Sequence, residues 1–136
     1  MNTSISCELL LRLVVSDDFS LPIPAGLRYD TVDPYAVRAV FHTDGGMVEW
    51  VFARDLLAQG LCRSAGIGDV RLWPSGRLGE GNVCIALRSG EEEVLLEASV
   101  RPLELFVKRM DAAVPPGTEH RHVDLETELS HLLLGN

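Results

Sequence analysis

Groups that do chemistry are scarce in this chain. Three cysteines, Cys7, Cys62 and Cys84, are odd in number and widely spaced; that suits neither a disulfide framework nor paired zinc ligands and predicts reduced thiols. No apolar run approaches the ~20 residues needed to cross a bilayer, and Met1-Asn2-Thr3-Ser4 lacks the basic stretch of an export signal. Cations are outnumbered, 12 Lys and Arg against 20 Asp and Glu, for a formal charge of −8 and a pI near 4.9. Such a surplus repels phosphate backbones and anionic lipid. A soluble cytoplasmic protein that avoids nucleic acid is expected. Phosphate loop, nucleophile elbow, Cys-x-x-Cys and two-histidine helix motif are all missing, so neither catalysis, a small-molecule substrate nor a cofactor is expected.

What is present suffices for one core. The 136 residues, 46% hydrophobic and 24% charged, match a single domain, here 1–136. From Ser4 to Val15, Ile5, Cys7, Leu9, Leu11, Leu13 and Val15 alternate with Ser4, Ser6, Glu8 and Arg12, which predicts a long half-buried strand. Ser20 to Asp33, with Pro22, Pro24 and Gly26, reads as an ordered loop because proline removes donors and fixes φ. Tyr35 to Phe41 and Val48 to Phe52 then alternate as a hairpin around Asp44-Gly45-Gly46. A short helix follows over Arg54 to Gln59, with Gly60 as its C-terminal cap.

The second half repeats this order. Strands are predicted at Asp69–Trp73, Asn82–Arg88 and Glu92–Ala98, with turns at Pro74-Ser75-Gly76 and Ser89-Gly90-Glu91. The helix after them has Pro102 in its first turn, an apolar stripe of Leu103, Phe106, Val107 and Met110, and Lys108 and Arg109 near its negative end. The expectation is an α+β fold: a twisted antiparallel sheet or barrel of about six or seven strands in a (βββα)x2 order. Beyond it, residues 114–136 form an arm. Pro115, Pro116 and Gly117 redirect the chain, and a terminal helix from Asp124 carries Leu125, Leu129, Leu132 and Leu133 on one side. At about ten residues it is too short to stand alone, so its leucines are expected to be buried either against the sheet or against another subunit; with the Pro-Pro-Gly turn, these seven residues are the candidate partner or oligomer interface.

Candidate chemical sites reduce to bland readings. Gly66-Ile67-Gly68 lacks the third glycine and following helix of a dinucleotide fingerprint. His120 and His122, one residue apart on a segment read as extended, point to one side and could share an ion, but two ligands make no site. Glu91-Glu92-Glu93 and Asp17-Asp18 sit at turns as solvated charge. Trp50 and Trp73 fall in strands. A stacking platform for single strands would need a cationic groove beside them, and Arg38, Arg54, Arg63, Arg71, Arg77 and Arg88 are scattered among more numerous acids.

Long blocks of the chain nonetheless carry a resemblance. Ser6-Cys7-Glu8-Leu9 with Arg12-Leu13-Val14-Val15, Pro24-Ala25-Gly26-Leu27-Arg28-Tyr29-Asp30 with Asp33-Pro34-Tyr35-Ala36-Val37, and Val48 through Leu57 resemble the SsgA-like sporulation and cell-division proteins of actinomycetes. So do Gly68-Asp69-Val70-Arg71 with Trp73-Pro74, and Val114 through His120 with Asp124-Leu125 and Glu128 to His131. The resemblance implies a non-catalytic protein that marks the septum during sporulation and brings the tubulin-like FtsZ there, with an SsgA-type paralogue among its partners. It implies reaching the membrane only through a partner; a homo-oligomer suits the scaffold role that follows, expected as a trimer rather than a dimer. It also implies a fold like Whirly-type single-stranded nucleic-acid-binding domains, which makes such a binding module the alternative reading.

Overall fold

The computed structural model describes residues 3–75 and 81–123. Seven strands, β1 (Ser4–Ser16), β2 (Phe19–Asp30), β3 (Ala36–Thr43), β4 (Gly46–Ala53), β5 (Val70–Ser75), β6 (Asn82–Ser89) and β7 (Glu92–Ser99), make one sheet in the order β4-β3-β2-β1-β7-β6-β5. Every pairing is antiparallel. β1 is the hub: it runs the whole length of β2 and joins β7 at Arg12 and Leu13, so one long amphipathic strand links the two halves. The sheet curls around an apolar interior with β4 and β5 at its two ends; an antiparallel bridge from Ala65 to Leu72 covers part of β5, and among the described residues β4 and β5 do not pair with each other, so the expected barrel is open.

Two helices close one end of the curl. α1 (Arg54–Gly60) connects the β4 edge toward β5, and α2 (Val100–Ala113) lies over the start of β1. Leu57 of α1 and Leu103, Phe106 and Met110 of α2 are buried against Leu11, Leu27, Val37, Leu72 and Val83 of the sheet. Each such side chain stabilises the fold by ~1.5–3 kcal/mol. Pro102 sits in the first turn of α2, where no donor is required of it. Val114 leaves the helix in an extended conformation, φ −137° and ψ 95°, because Pro115 disfavours helical backbone in the residue before it.

The order of elements is four strands and a helix, then three strands and a helix. This corrects the (βββα)x2 expectation, and the cause is β2, where a loop was expected. Ile23, Ala25, Leu27 and Tyr29 alternate inward with period two, a signal the prolines masked. Pro22 and Pro24 pair only with β1, since β3 joins from Ala25 onward. A residue with no N–H costs nothing where no second neighbour waits to receive one. Gly60 also has a different role from the expected cap. It is helical, and a Cβ there would stand 2.4 Å from the Leu72 Cβ, so its smallness lets α1 approach β5. Pro74 and Ser75 continue β5 rather than turning, while Gly76 and the predicted terminal helix lie outside the described residues.

Candidate interaction site

The end of the curl away from the helices is open and apolar. Leu13 and Ile23 of the β1–β2 hairpin, Phe41, Val48 and Trp50 of the β3–β4 hairpin, and Leu87, Val94 and Leu96 of the β6–β7 hairpin line a cleft of about 310 Å³, with Thr43 and Glu92 at its edge. The reason is local. Each strand continues its alternation beyond the point where α1 and α2 cover the inner face, so Leu21, Val48 and Val94 reach solvent. An exposed apolar concavity of this kind is a feature of binding surfaces.

The closed end is fixed by a buried arginine. Arg54, the first residue of α1, is 2% exposed. Its guanidinium donates to the Tyr29 hydroxyl at 3.0 Å and to Asp111 Oδ1 of α2 at 2.7 Å, and it lies over the Tyr29 ring at 5.3 Å. Tyr29 in turn donates to the Pro34 carbonyl at 2.8 Å. Burial pushes the Tyr29 phenol above its usual range, against the pull of the Arg54 charge. β2, α1 and α2 are thereby tied at one point by charge-assisted bonds.

The chain leaving α2 folds back onto this point. Pro115, Pro116 and Gly117 are exposed, Gly117 has φ +89°, and the Thr118 N–H closes the turn onto the Pro115 carbonyl at 3.0 Å. Glu119 is buried and accepts the Gly117 N–H at 2.5 Å. Backbone donors of Glu119 itself, then of Gly117, with the Arg54 charge and the Thr118 N–H, hold its carboxyl below the usual range in spite of burial.

On the outer face of the sheet, cations are matched. Arg12 pairs with Glu97, Arg28 with Asp30, Arg38 with Asp33 and Glu49, and Arg71 and Arg88 with Glu93. Trp73 shares this face beside Cys84 and Glu97, so a base stacking there would meet neutralised charge. Among the described residues no three His, Cys, Asp or Glu side chains are grouped to hold a metal, and no helix is long and apolar enough to cross a membrane.

Residues 23–119 match the family model described as the Streptomyces sporulation and cell division protein SsgA. The chain belongs to the SsgA family. It is 70% identical over 134 residues to the sporulation-specific cell division protein SsgB of Streptomyces coelicolor, covering 98% of both chains. A solved structure described by the words "Mutations in SsgB correlate to longitudinal cell division during sporulation of Streptomyces coelicolor" superposes with a TM-score of 0.84 at 71% identity, covering 90% of this chain and 97% of that one. The crystal structure of an SsgA-like sporulation-specific cell division protein from Thermobifida fusca gives 0.85 at 44% identity, with 96% of each chain covered. The family resemblance read from the sequence is thus established, and with it a role in sporulation cell division. These relatives carry the names of division proteins and not of enzymes.

The SsgA-family frame sorts the expected site residues. Pro115, Pro116 and Gly117 form the exposed turn that leads into Glu119, the residue that feels the Arg54 charge, whereas Leu125, Leu129, Leu132 and Leu133 lie outside the described residues. The histidine pair is corrected: Glu119–His122 is a short 3-10 helix rather than an extended segment, so His120 and His122 project to different sides. Sequence reasoning missed Arg54, which it counted only among the scattered arginines, since nothing in the local pattern marks it as buried. The open cleft did leave a trace, because the alternations through Leu13, Val48 and Val94 run on past the residues that helices could cover.

Proposed function

We propose that this SsgA-family chain is a non-catalytic scaffold of sporulation-specific division that marks the septum site and recruits FtsZ. The observation that carries the reading is the apolar cleft at the open end, a surface suited to another polypeptide and poor in groups that could do chemistry. In this proposal the cleft joins copies of the chain into a homo-oligomer, taken as a trimer. Other division proteins, including an SsgA-type paralogue, supply the remaining contacts and the link to the membrane. The Pro115-Pro116-Gly117 turn directs the C-terminal segment toward such contacts. A Whirly-type likeness of the fold belongs to the same proposal, but the paired arginines of the outer face weigh against a nucleic-acid ligand, whose affinity scales with phosphates neutralised. The test is sedimentation of purified FtsZ polymers with and without the protein. Co-pelleting or bundling at moderate salt is expected, and FtsZ polymers unaffected at any ratio would end the reading.

A further inference from the structure

Among the described residues five cations, Arg63, Arg101, Lys108, Arg109 and Arg121, have no carboxylate partner, and three of the five stand together on α2. On its solvent side Arg101, Leu105 and Arg109 recur at every fourth residue and form one stripe, flanked by Lys108. Among the described residues no carboxylate oxygen lies within 4.0 Å of Arg101, Lys108 or Arg109. The stripe forms one wall of a groove of about 320 Å³ between α2 and the start of β1, with Ser6, Cys7, Pro102 and Phe106 completing it. The Arg109 guanidinium is anchored by donating to the Ser6 carbonyl at 3.1 Å. Leu105, 60% exposed, stands between the two arginines. Glu8 and Glu104 are the nearest acids in sequence to the groove, on β1 and α2.

We propose that this groove docks an acidic peptide carrying an apolar anchor, contributed by a partner protein. The inference rests on the scaffold reading and deepens it by naming a surface and the chemistry it accepts. Charge complementarity selects the occupant: a chain of net charge −8 matches its sheet arginines with its own carboxylates yet leaves this stripe to be matched from outside. Geometry refines it. Arg101 and Arg109 are eight residues apart, ~12 Å along a helix, which an extended peptide spans in about four residues. Two acids separated by three residues, with the apolar residue midway over the exposed Leu105 and the half-buried Pro102, therefore fit the groove. Because screening confines exposed charges to ~8 Å at physiological salt, the local cations prevail over the distant negative surplus.

The probe is a fluorescein-labelled ten-residue synthetic peptide with the pattern Asp-Ser-Leu-Ser-Glu at its centre, followed by fluorescence anisotropy. Arg101→Glu and Arg109→Glu should each weaken binding about tenfold, Leu105→Ser should also weaken it, and Arg63→Glu, an exposed cation outside the groove, should leave it unchanged. Thermal melts identify any variant that fails to fold, and Arg101→Glu, whose side chain donates no bond within the described residues, decides if Arg109→Glu does. Binding that ignores Arg101→Glu, or that persists when the peptide leucine becomes serine, overturns the proposal. So does binding seen only after removal of residues 124–136, which would make the chain's own acidic tail the occupant, or tighter binding of a ten-nucleotide thymidine strand to the same cations. FtsZ separates the two readings. FtsZ that co-pellets equally with wild type and Arg101→Glu overturns the groove as its docking site and spares the scaffold. Peptide binding with the expected variant pattern, but no FtsZ co-pelleting, spares the groove's chemistry and ends the FtsZ reading.

Discussion

Arg54 concentrates the fold's polar energetics in one side chain, and the consequences of replacing it depend on what is left behind. Asp111 is about one third exposed and can be rehydrated, Tyr29 keeps its bond to Pro34, and Glu119 loses the Arg54 charge but keeps its backbone donors, which act on it more strongly. Arg54→Met, which fills the same volume with apolar atoms, should therefore lose only about 1 kcal/mol of stability, whereas Arg54→Ala adds a cavity beneath Tyr29 and should lose about 3 kcal/mol. Urea denaturation distinguishes the pair; equal losses would mean that the charge, and not packing, dominates. Glu119 makes a pH-dependent contribution of determinate sign. Its folded pKa lies below the ordinary value, so its stabilisation is complete above the ordinary carboxylate range and disappears as pH falls through the lowered value. Between pH 6 and pH 3 the wild-type melting temperature should fall further than that of Glu119→Gln, and the two should converge at the acid end. Asp30, lowered chiefly by its bond from Ser4, contributes equally to both proteins and cancels. Gly117 is the third sensitive position. A Cβ there meets nothing within 4 Å, but φ +89° is strained for any other residue, so Gly117→Thr should lose about 1–2 kcal/mol and loosen the turn that carries Glu119. Native hydrogen exchange at the Thr118 amide reads this directly.

Elements form where local pattern and neighbours agree, and β2 shows what happens when they conflict. Strands β1, β3, β4, β6 and β7 were legible because alternation and turn residues coincide at each. β2 was not, since its prolines argue against a strand unless one knows that β3 starts pairing only at Ala25. That is a fact about a partner rather than about the segment. The same limit hid Arg54, whose burial depends on Asp111 and Tyr29 meeting across 57 and 25 residues of chain. Gly60 likewise reads as a cap until Leu72 is placed beside it. The proline pair has a purpose consistent with its position. An edge with two outward N–H groups is a template for another strand, and proline blunts it. Pro22→Thr combined with Pro24→Thr should leave the melting temperature within a few degrees while making light scattering rise with concentration. A double variant that stays monodisperse would show that the edge is protected by some other means.

At the scale of the whole molecule the two ends of the curl are chemically distinct, and this separation is what a scaffold requires. The open cleft is apolar and suits self-association, while the groove beside α2 is cationic and lies by Ser6 and Cys7, at the opposite end of β1 from Leu13. Their functions should then be separable by mutation. Val48→Asp and Val94→Asp place charges on residues already 46% and 42% exposed, so the fold should persist while an interface there is lost. Sedimentation equilibrium is expected to show an oligomer for the wild type and a monomer for the double variant. The monomer should still bind the acidic peptide with unchanged affinity, because that groove is intact. It should nevertheless fail to bundle FtsZ polymers, since bridging two filaments needs at least two linked sites, and linkage multiplies apparent affinity by ~10²–10⁴ through effective concentration alone. A wild type that is monomeric at every concentration, or a monomeric double variant that bundles as well as the wild type, would dissociate self-association from recruitment and remove the open cleft from the mechanism.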